Sequence, residues 1–216
     1  MIHDLSVQLV SAWHDTSGIE ILAAALALAY VQLAIWQRLS CWFAAFLSSA
    51  LYAWVFFGAH LYMDSGLQVF FAGMAVYGFW QWRHGKGGAA LAVNSWPMAR
   101  HALAALLIIA LSLLTASLLR RYTPAASPLI DSLVTWSSVF ATFLVARKVY
   151  QNWHWWVVID SVSLCLFFTR HLYLTVLLYG LYVALSVIGM REWRRTLPAF
   201  APAAGPASEP GSHAPG

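Results

Sequence analysis

An internal repeat of two apolar segments is the feature that most constrains this chain. When the sequence is shifted by 111 positions, residues 42–83 align with residues 153–194 without a gap, and 11 of the 42 aligned pairs are identical. Trp42, for example, falls on Trp153. Repeats of this kind are typical of membrane transporters, which place their substrate site between the two halves.

The composition indicates a protein that is embedded in a lipid bilayer. Hydrophobic residues make up 61% of the 216 residues, and charged residues only 9%, whereas a soluble domain carries about 25% charged residues. So few charges cannot solvate a globule, and apolar runs of about 20 residues are long enough to span a membrane. The net charge of +4 is therefore attributed to loops, and no nucleic-acid partner is expected.

Seven apolar segments are predicted to be transmembrane helices. They lie near residues 18–38, 42–58, 61–82, 99–119, 128–148, 153–169 and 171–191. The offset of 111 carries the first three spans onto the last three. Because four spans separate equivalent helices, both sets should cross the membrane in the same direction, as parallel repeats.

The predicted fold is an all-α membrane protein with a 3+1+3 arrangement of seven transmembrane helices. The two three-helix repeats occupy residues 18–83 and 127–195, and a linker helix occupies residues 98–120. We expect residues 1–17 to form an N-terminal segment with a short interfacial helix. Residues 196–216 are rich in Pro, Ala, Gly and Ser, which favours a disordered tail.

The distribution of lysine and arginine predicts the orientation of the chain. If the spans alternate in direction, nine of the twelve basic residues lie on one side of the membrane. Cytoplasmic loops carry the excess of Lys and Arg. The N-terminus is therefore expected outside and the C-terminus in the cytoplasm, in a multi-pass protein of the cell (inner) membrane.

A carboxylate and two indoles share one face of the sixth predicted span. Trp153, Trp156 and Asp160 are spaced i, i+3 and i+7, which brings them to the same side of a helix. A carboxylate inside a span costs roughly 2.5–3.5 kcal/mol or more, so it should face the bundle interior. The indoles would then form an aromatic wall for a flat or cationic ligand. The alternatives are an interfacial tryptophan belt and an aspartate that bonds only to its helix neighbours.

Four further side chains are candidates for substrate binding. Gln68 lies within the third span, and its repeat partner is Tyr179, so both halves place a hydrogen-bonding group at the same depth. Tyr52, in the second span, could line the same path, as could Tyr30. The alternative for Gln68 is a hydrogen bond between helices, which is worth only about 0.6 kcal/mol on average in membranes.

The sequence contains no pattern typical of an enzyme or a metal protein. There is no nucleophile–base pair, no metal-ligand cluster and no phosphate-binding loop, since the glycine-rich stretch 85–88 lacks P-loop spacing. Cys41 and Cys165 have neither metal nor redox spacing. We therefore expect no catalytic residues, no metal and no cofactor.

Two motifs resemble signatures of the PnuC family of vitamin transporters. The stretch GLQV at 66–69, followed by YGFWQW at 77–82, resembles the third helix of that family. The stretch NWHWW at 152–156, through Asp160, and the segment 172–179 resemble its sixth and seventh helices. One difference concerns the third and fourth positions of the family's usual Tyr-Gly-Trp-Tyr-x-Trp. Here they are Phe79 and Trp80, so both positions stay aromatic.

The resemblance covers residues 18–195 and implies both a fold and a function. Members of the family take up nicotinamide riboside, and some carry other B vitamins such as thiamine. The resemblance implies a three-plus-one-plus-three bundle in which the Trp-x-x-Trp motif, here Trp153 and Trp156, lines the nicotinamide pocket. It also implies that uptake is followed by trapping through a cytoplasmic kinase. The sequence shows no dedicated ion site, which favours downhill uptake.

The predicted function is facilitated diffusion of nicotinamide riboside with alternating access between the two three-helix bundles. Thiamine or another B vitamin is the nearest alternative cargo. A SWEET-type sugar carrier is less favoured, because the repeats lack the interior Pro-Gln pairs of that group. A seven-span receptor is opposed by the parallel repeats. Small residues along the first and fourth spans would permit close packing in a homo-oligomer.

Overall fold

The part of the chain that the computed structural model describes is mainly α-helical. That part comprises residues 17–85, 90–122, 127–170 and 172–197, apart from the side chains of residues 62 and 174. The interfacial helix expected near the N-terminus and the tail from residue 198 onward lie outside it. The seven helices are α1 (Gly18–Ile35), α2 (Cys41–Gly58), α3 (Tyr62–His84), α4 (Met98–Tyr122), α5 (Pro128–Ala146), α6 (Asn152–Thr169) and α7 (Tyr173–Arg195).

Length and composition allow five of these helices to cross a membrane. They are α1, α2, α4, α5 and the Thr175–Arg195 part of α7. The remaining two are α3, which carries Asp64 and Gln68, and α6, which carries Asp160. The two less apolar helices thus hold the amide and carboxylate candidates, Gln68 and Asp160.

The helices pack in a closed circuit, with α4 attached to it. Neighbours along the chain are in contact from α1 to α3 and again from α4 to α7. Helix α3 also packs on α5, and α1 packs on α7, which closes the circuit. A shift of 111 positions carries the contact of α3 with α5 onto the contact of α7 with α1.

Two hydrogen bonds repeat this relationship at atomic detail. The indole nitrogen Nε1 of Trp82 donates to the carbonyl oxygen of Val145 at 3.1 Å. The Nε1 of Trp193 donates to the carbonyl oxygen of Ala34 at 3.0 Å. Since Trp193 and Val145 are the repeat partners of Trp82 and Ala34, each half of the chain makes the same bond to the other half.

Four indoles form the centre of the core, and we call them the tryptophan cluster: Trp42, Trp82, Trp153 and Trp193. The rings of Trp82 and Trp193 lie 6.0 Å apart. Trp42 meets Trp82 edge-on at 5.3 Å and 85°, and Trp153 meets Trp193 edge-on at 5.4 Å and 87°. All four side chains are buried. The repeat seen in the sequence is therefore also a repeat of ring geometry.

Two glycines allow the outer indoles of this cluster to lie against helix backbone. Gly78 in α3 contacts the ring of Trp42, and its repeat partner Gly189 in α7 contacts the ring of Trp153. A Cβ added at Gly189 would lie 2.6 Å from that ring, and one added at Gly78 would overlap with Trp42. Glycine is required at both positions because the indole rings lie too close to the helix backbone to leave room for a Cβ atom.

The turns that follow α1 and α5 meet at the same end of the molecule. Gln37 and Lys148 are repeat partners, and both have positive φ, 55° and 48°. Lys148 Nζ donates to Gln37 Oε1 at 3.4 Å and lies 4.5 Å from the ring centre of Trp82. Burial of this ammonium lowers the pKa of Lys148. The end that carries the tryptophan cluster is therefore tightly packed.

The reciprocal indole bonds lead to a stability prediction. Trp82→Phe and Trp193→Phe each remove one indole donor, and a buried hydrogen bond is worth about 1 kcal/mol. We expect both variants to lower the melting temperature in detergent by similar amounts. Trp54→Phe, at an indole that is 72% exposed, is the matched control. A loss in only one of the two variants would contradict equivalence of the halves.

Candidate substrate site

A cavity of about 190 Å³ lies in the helix circuit next to the tryptophan cluster. Helices α1, α2 and α3 supply most of its lining. Helices α5 and α6 contribute Thr142 and Trp156. The cavity therefore contacts both halves of the repeat but leans toward the first. Ligand pockets usually measure about 300–1,000 Å³, so a vitamin-sized ligand would have to widen this cavity as it binds.

The walls of the cavity are mainly aromatic. Aromatic side chains from four different helices face it: Tyr30, Trp42, Tyr52, Phe71 and Trp156. The ring of Tyr52 stacks on Phe56 at 5.7 Å and 21°, which fixes its orientation. Flat aromatic ligands are held by such walls through stacking, and cationic rings gain a further attraction to the π faces.

Gln68 is the polar side chain with the most unused hydrogen-bonding capacity in this cavity. Among the described residues, no group forms a hydrogen bond with its amide, although the side chain is half-buried. By contrast, Ser48 Oγ donates to the carbonyl of Ala23 at 2.8 Å, and Thr142 Oγ1 donates to the carbonyl of Ser138 at 2.8 Å. An amide without a partner in an apolar setting is costly. The amide of Gln68 is therefore suited to a ligand that offers both a donor and an acceptor.

Four of the candidate residues thus lie around one cavity, namely Tyr30, Tyr52, Gln68 and Trp156. Asp160 and Tyr179 belong to a neighbouring polar group on α6 and α7. The buried carboxylate of Asp160 accepts a hydrogen bond from Ser186 Oγ at 3.4 Å. The ring of Tyr179 stacks on Phe167 of α6 at 5.2 Å and 27°. Asp160 and Tyr179 therefore lie outside the cavity lining.

Trp153 occupies a different environment from Trp156, although both belong to the Trp-x-x-Trp motif. Its side chain is 3% exposed and packs on Gly189 and Trp193 within the tryptophan cluster. Neither Trp153 nor its repeat partner Trp42 has a hydrogen-bond partner for Nε1 within the described part of the chain. The stacking role expected for Trp153 stays a prediction.

Among the lining residues that the sequence did not single out, two could have been identified from the repeat itself. Ser49 is the repeat partner of Asp160, and Ala45 is the repeat partner of Trp156; both line the cavity. A shift of Trp156 and Asp160 by 111 positions leads to these two residues of α2.

The cavity offers aromatic surface and neutral hydrogen-bonding groups rather than charge. Its described lining contains no Asp, Glu, Lys or Arg. Across residues 17–85, 90–122, 127–170 and 172–197, no group of three or more His, Cys, Asp or Glu side chains is arranged to hold a metal ion. The site is therefore suited to recognise an aromatic ligand by shape, stacking and an amide contact.

Comparison with known proteins agrees with this picture. A family model described as "Nicotinamide mononucleotide transporter" matches residues 17–195. The chain is 26% identical over 207 residues to the nicotinamide riboside transporter PnuC of Escherichia coli strain K12, with 83% of this chain and 86% of that protein covered. It is 29% identical over 185 residues to the riboflavin/roseoflavin transporter RibM of Streptomyces davaonensis, with 84% of each chain covered.

A solved structure shares the fold. The crystal structure of the vitamin B3 transporter PnuC superimposes with a TM-score of 0.64 at 21% sequence identity, and covers 90% of this chain and 88% of the other. The family match extends over most of the helical region described above. The chain is therefore a multi-pass membrane protein that belongs to the PnuC family of transporters.

Proposed function

We propose that this protein carries nicotinamide riboside across the membrane by facilitated diffusion. The observation that supports this most directly is the unpaired amide of Gln68 in a cavity with aromatic walls. Nicotinamide riboside has a flat cationic ring with a carboxamide, which is both donor and acceptor. The relative in Escherichia coli is a nicotinamide riboside transporter.

In this proposal, different side chains contact different parts of the ligand. Trp156 stacks on the nicotinamide ring, and Gln68 pairs with its carboxamide. Tyr52 and the nearby Asp160 with Tyr179 receive the ribose hydroxyls when the cavity widens toward α7. Trp153 supports the site from the core, where it orients α6 against α7. The cavity is closed toward the tryptophan cluster by Trp42, which belongs to both.

Transport further requires that the two halves move relative to each other. We infer a 3+1+3 arrangement, in which α1–α3 and α5–α7 are parallel units and α4 is the linker. The reciprocal bonds of Trp82 and Trp193 cross between these units. If the two units open at the end that carries the tryptophan cluster, both of these hydrogen bonds must break together. With the basic side in the cytoplasm, the described conformation is closed to the cytoplasm, and the N-terminus lies outside.

No ion site is needed for this mechanism, so net uptake follows the gradient of the riboside. Accumulation then depends on phosphorylation of the ligand by a cytoplasmic kinase. In sealed vesicles that contain the purified protein, we expect internal and external riboside to become equal. Accumulation that depends on an ion gradient would contradict facilitated diffusion. Uptake without a second protein would also exclude a receptor role.

A different B vitamin is the second candidate cargo. The riboflavin/roseoflavin transporter of Streptomyces davaonensis is as similar to this chain as the riboside transporter is. The size of the cavity, about 190 Å³, argues against a flavin as cargo. The three-ring flavin needs more room than a single pyridinium ring. Thiamine, with a cationic thiazolium, would fit the aromatic walls by the same attraction.

Calorimetric titration of the detergent-solubilised protein separates these cargoes. We expect nicotinamide riboside to bind, and thiamine and riboflavin to bind at least tenfold more weakly. Competition between the three ligands for one site provides the control. Preferential binding of riboflavin or thiamine would keep the cavity as the site but replace the cargo.

A further inference from the structure

A second, larger cavity lies at the end of the molecule that carries the tryptophan cluster. It measures about 640 Å³ and lies between the end of α3, the segment 90–97, the start of α4 and the end of α5. Two arginines line it, Arg147 from the turn after α5 and Arg100 from α4. Neither forms a salt bridge with another described residue. The cavity thus has positive charge that the described protein does not neutralise.

The guanidinium of Arg147 is held in place while most of its donors stay unused. Its Nη1 donates to the hydroxyl oxygen of Tyr77 at 3.3 Å, and Gln81 Nε2 donates to the same oxygen at 2.9 Å. The guanidinium carbon also lies 6.0 Å from the ring centre of Phe143. A guanidinium has five N–H donors. The other donors of Arg147 have no acceptor among the described residues.

Arg100 is the second cation that lines the cavity. Its guanidinium carbon lies 5.4 Å from the ring centre of Trp96, which also lines the cavity. No hydrogen bond joins the guanidinium to another described group. The two cations therefore approach one cavity from two different elements, each oriented by an aromatic ring.

The segment that forms the outer wall is fixed to the turn after α5. The backbone N–H of Asn94 donates to the carbonyl of Lys148 at 2.9 Å, and the N–H of Tyr150 donates to the carbonyl of Asn94 at 2.8 Å. Gln151 Nε2 donates to Ser95 Oγ at 2.7 Å and to the carbonyl of Trp96 at 2.9 Å. The wall is therefore a built part of the structure.

The repeat supplies an internal comparison for this cavity. A cavity of about 460 Å³ lies at the equivalent place in the other half, where Trp36 replaces Arg147 and Glu192 replaces Gln81. There, Glu192 forms a salt bridge with Arg195 at 2.8 Å. Because the fold accommodates a tryptophan at the position of Arg147, packing alone does not require an arginine there.

We propose that this cavity, between Arg100 and Arg147, binds a phosphate group. Guanidinium groups match phosphate oxygens in geometry and charge. Apolar side chains, among them Leu91 and Trp96, also line the cavity, which suits an organic group attached to the phosphate. That group is either the glycerol of an anionic lipid or the body of a soluble phosphorylated metabolite. The inference does not depend on which vitamin the protein carries.

The test uses the full chain in neutral detergent with two probes at constant ionic strength. Inorganic phosphate is titrated by calorimetry. Phosphatidylglycerol retention is measured by native mass spectrometry, with phosphatidylcholine as the uncharged control. Arg147→Gln and Arg100→Gln should each lower the affinity for the probe that binds by about tenfold or more, since charge-assisted hydrogen bonds are lost. Arg38→Gln, in the equivalent cavity of the other half, removes the same charge and should change binding less than twofold.

The two probes distinguish the source of the phosphate. Phosphate binding that both arginine variants weaken assigns the site to a soluble ligand. Retention of phosphatidylglycerol over phosphatidylcholine, lost in the same variants, assigns it to a lipid headgroup. Arg100 is exposed and has no hydrogen bond to other described groups, so its variant should fold even if Arg147→Gln does not. The proposal fails if neither probe binds selectively, or if Arg100→Gln and Arg147→Gln bind both probes like the wild type.

Discussion

Trp156→Ala is expected to weaken binding of nicotinamide riboside strongly while it leaves the protein folded. Stacking of one aromatic ring on another contributes about 1–3 kcal/mol by alanine substitution, which is a factor of about 5 to 150 in Kd. Trp156 is half-buried and lines the cavity, so its removal enlarges the site without opening the tryptophan cluster. Calorimetric titration gives the change in Kd, and a thermal melt gives the change in stability.

Trp153→Ala, in the same motif, should show the opposite pattern. Its indole is buried against Gly189 and Trp193, and truncation of a core tryptophan costs about 3–5 kcal/mol. A large loss of thermal stability is therefore expected. Trp54→Ala on the exposed face of α2 is the control for both variants. If Trp156→Ala binds like wild type, the cavity is not the substrate site.

Gln68→Ala should weaken the binding of nicotinamide riboside by about 1 kcal/mol or more, because the carboxamide of the ligand then lacks a partner in an apolar setting. Among ligands, the loss should be specific to those that carry a carboxamide. Equal loss for thiamine and for the riboside would instead indicate a general change of the cavity. Titration of both ligands against the same variant distinguishes the two results.

The second large effect concerns the glycines under the outer indoles. Gly78→Ala and Gly189→Ala place a methyl group into the rings of Trp42 and Trp153, which are 2% and 3% exposed and have little room to move. Overpacking of this kind costs about 1–3 kcal/mol. We expect both variants to melt at clearly lower temperature in detergent, and by similar amounts because the two sites are repeat partners.

Gly73→Ala in α3 is the matched control for this pair. Nothing lies within 4 Å of a Cβ added there. Alanine is favoured over glycine in a helix by about 1 kcal/mol, so this variant should melt at the same temperature or higher. Its comparison with Gly78→Ala isolates the overlap from helix propensity. If Gly78→Ala is as stable as Gly73→Ala, the indole of Trp42 is free to move aside.

Much of the architecture was predictable because it depends on local properties of the chain. The apolar length of a segment decides whether it spans a membrane, and the described helices begin and end within four residues of the predicted spans. The repeat at an offset of 111 also predicted pairs that the structure brings into equivalent contacts, such as Trp82 and Trp193. Family membership followed from motifs that are contiguous in sequence.

The different environments of Trp153 and Trp156 could be recognised only in the tertiary structure. Both lie on one broad face of α6, but three residues rotate a helix by about 300° and advance it about 4.5 Å. That difference turns Trp153 toward Gly189 in α7 and Trp156 toward the cavity. Spacing within one helix cannot reveal which neighbour each side chain meets.

Sequence alone therefore indicated a helical membrane protein with two related halves, because hydropathy and repetition are properties of the chain itself. The side on which the cavity lies could be learned only from the packing of the helices. On α6 the large Trp156 and the carboxylate of Asp160 fill space, whereas their repeat partners on α2 are the small Ala45 and Ser49. Related helices with side chains of unequal volume leave the empty space against α2, and so the candidate site leans toward the first half of the protein.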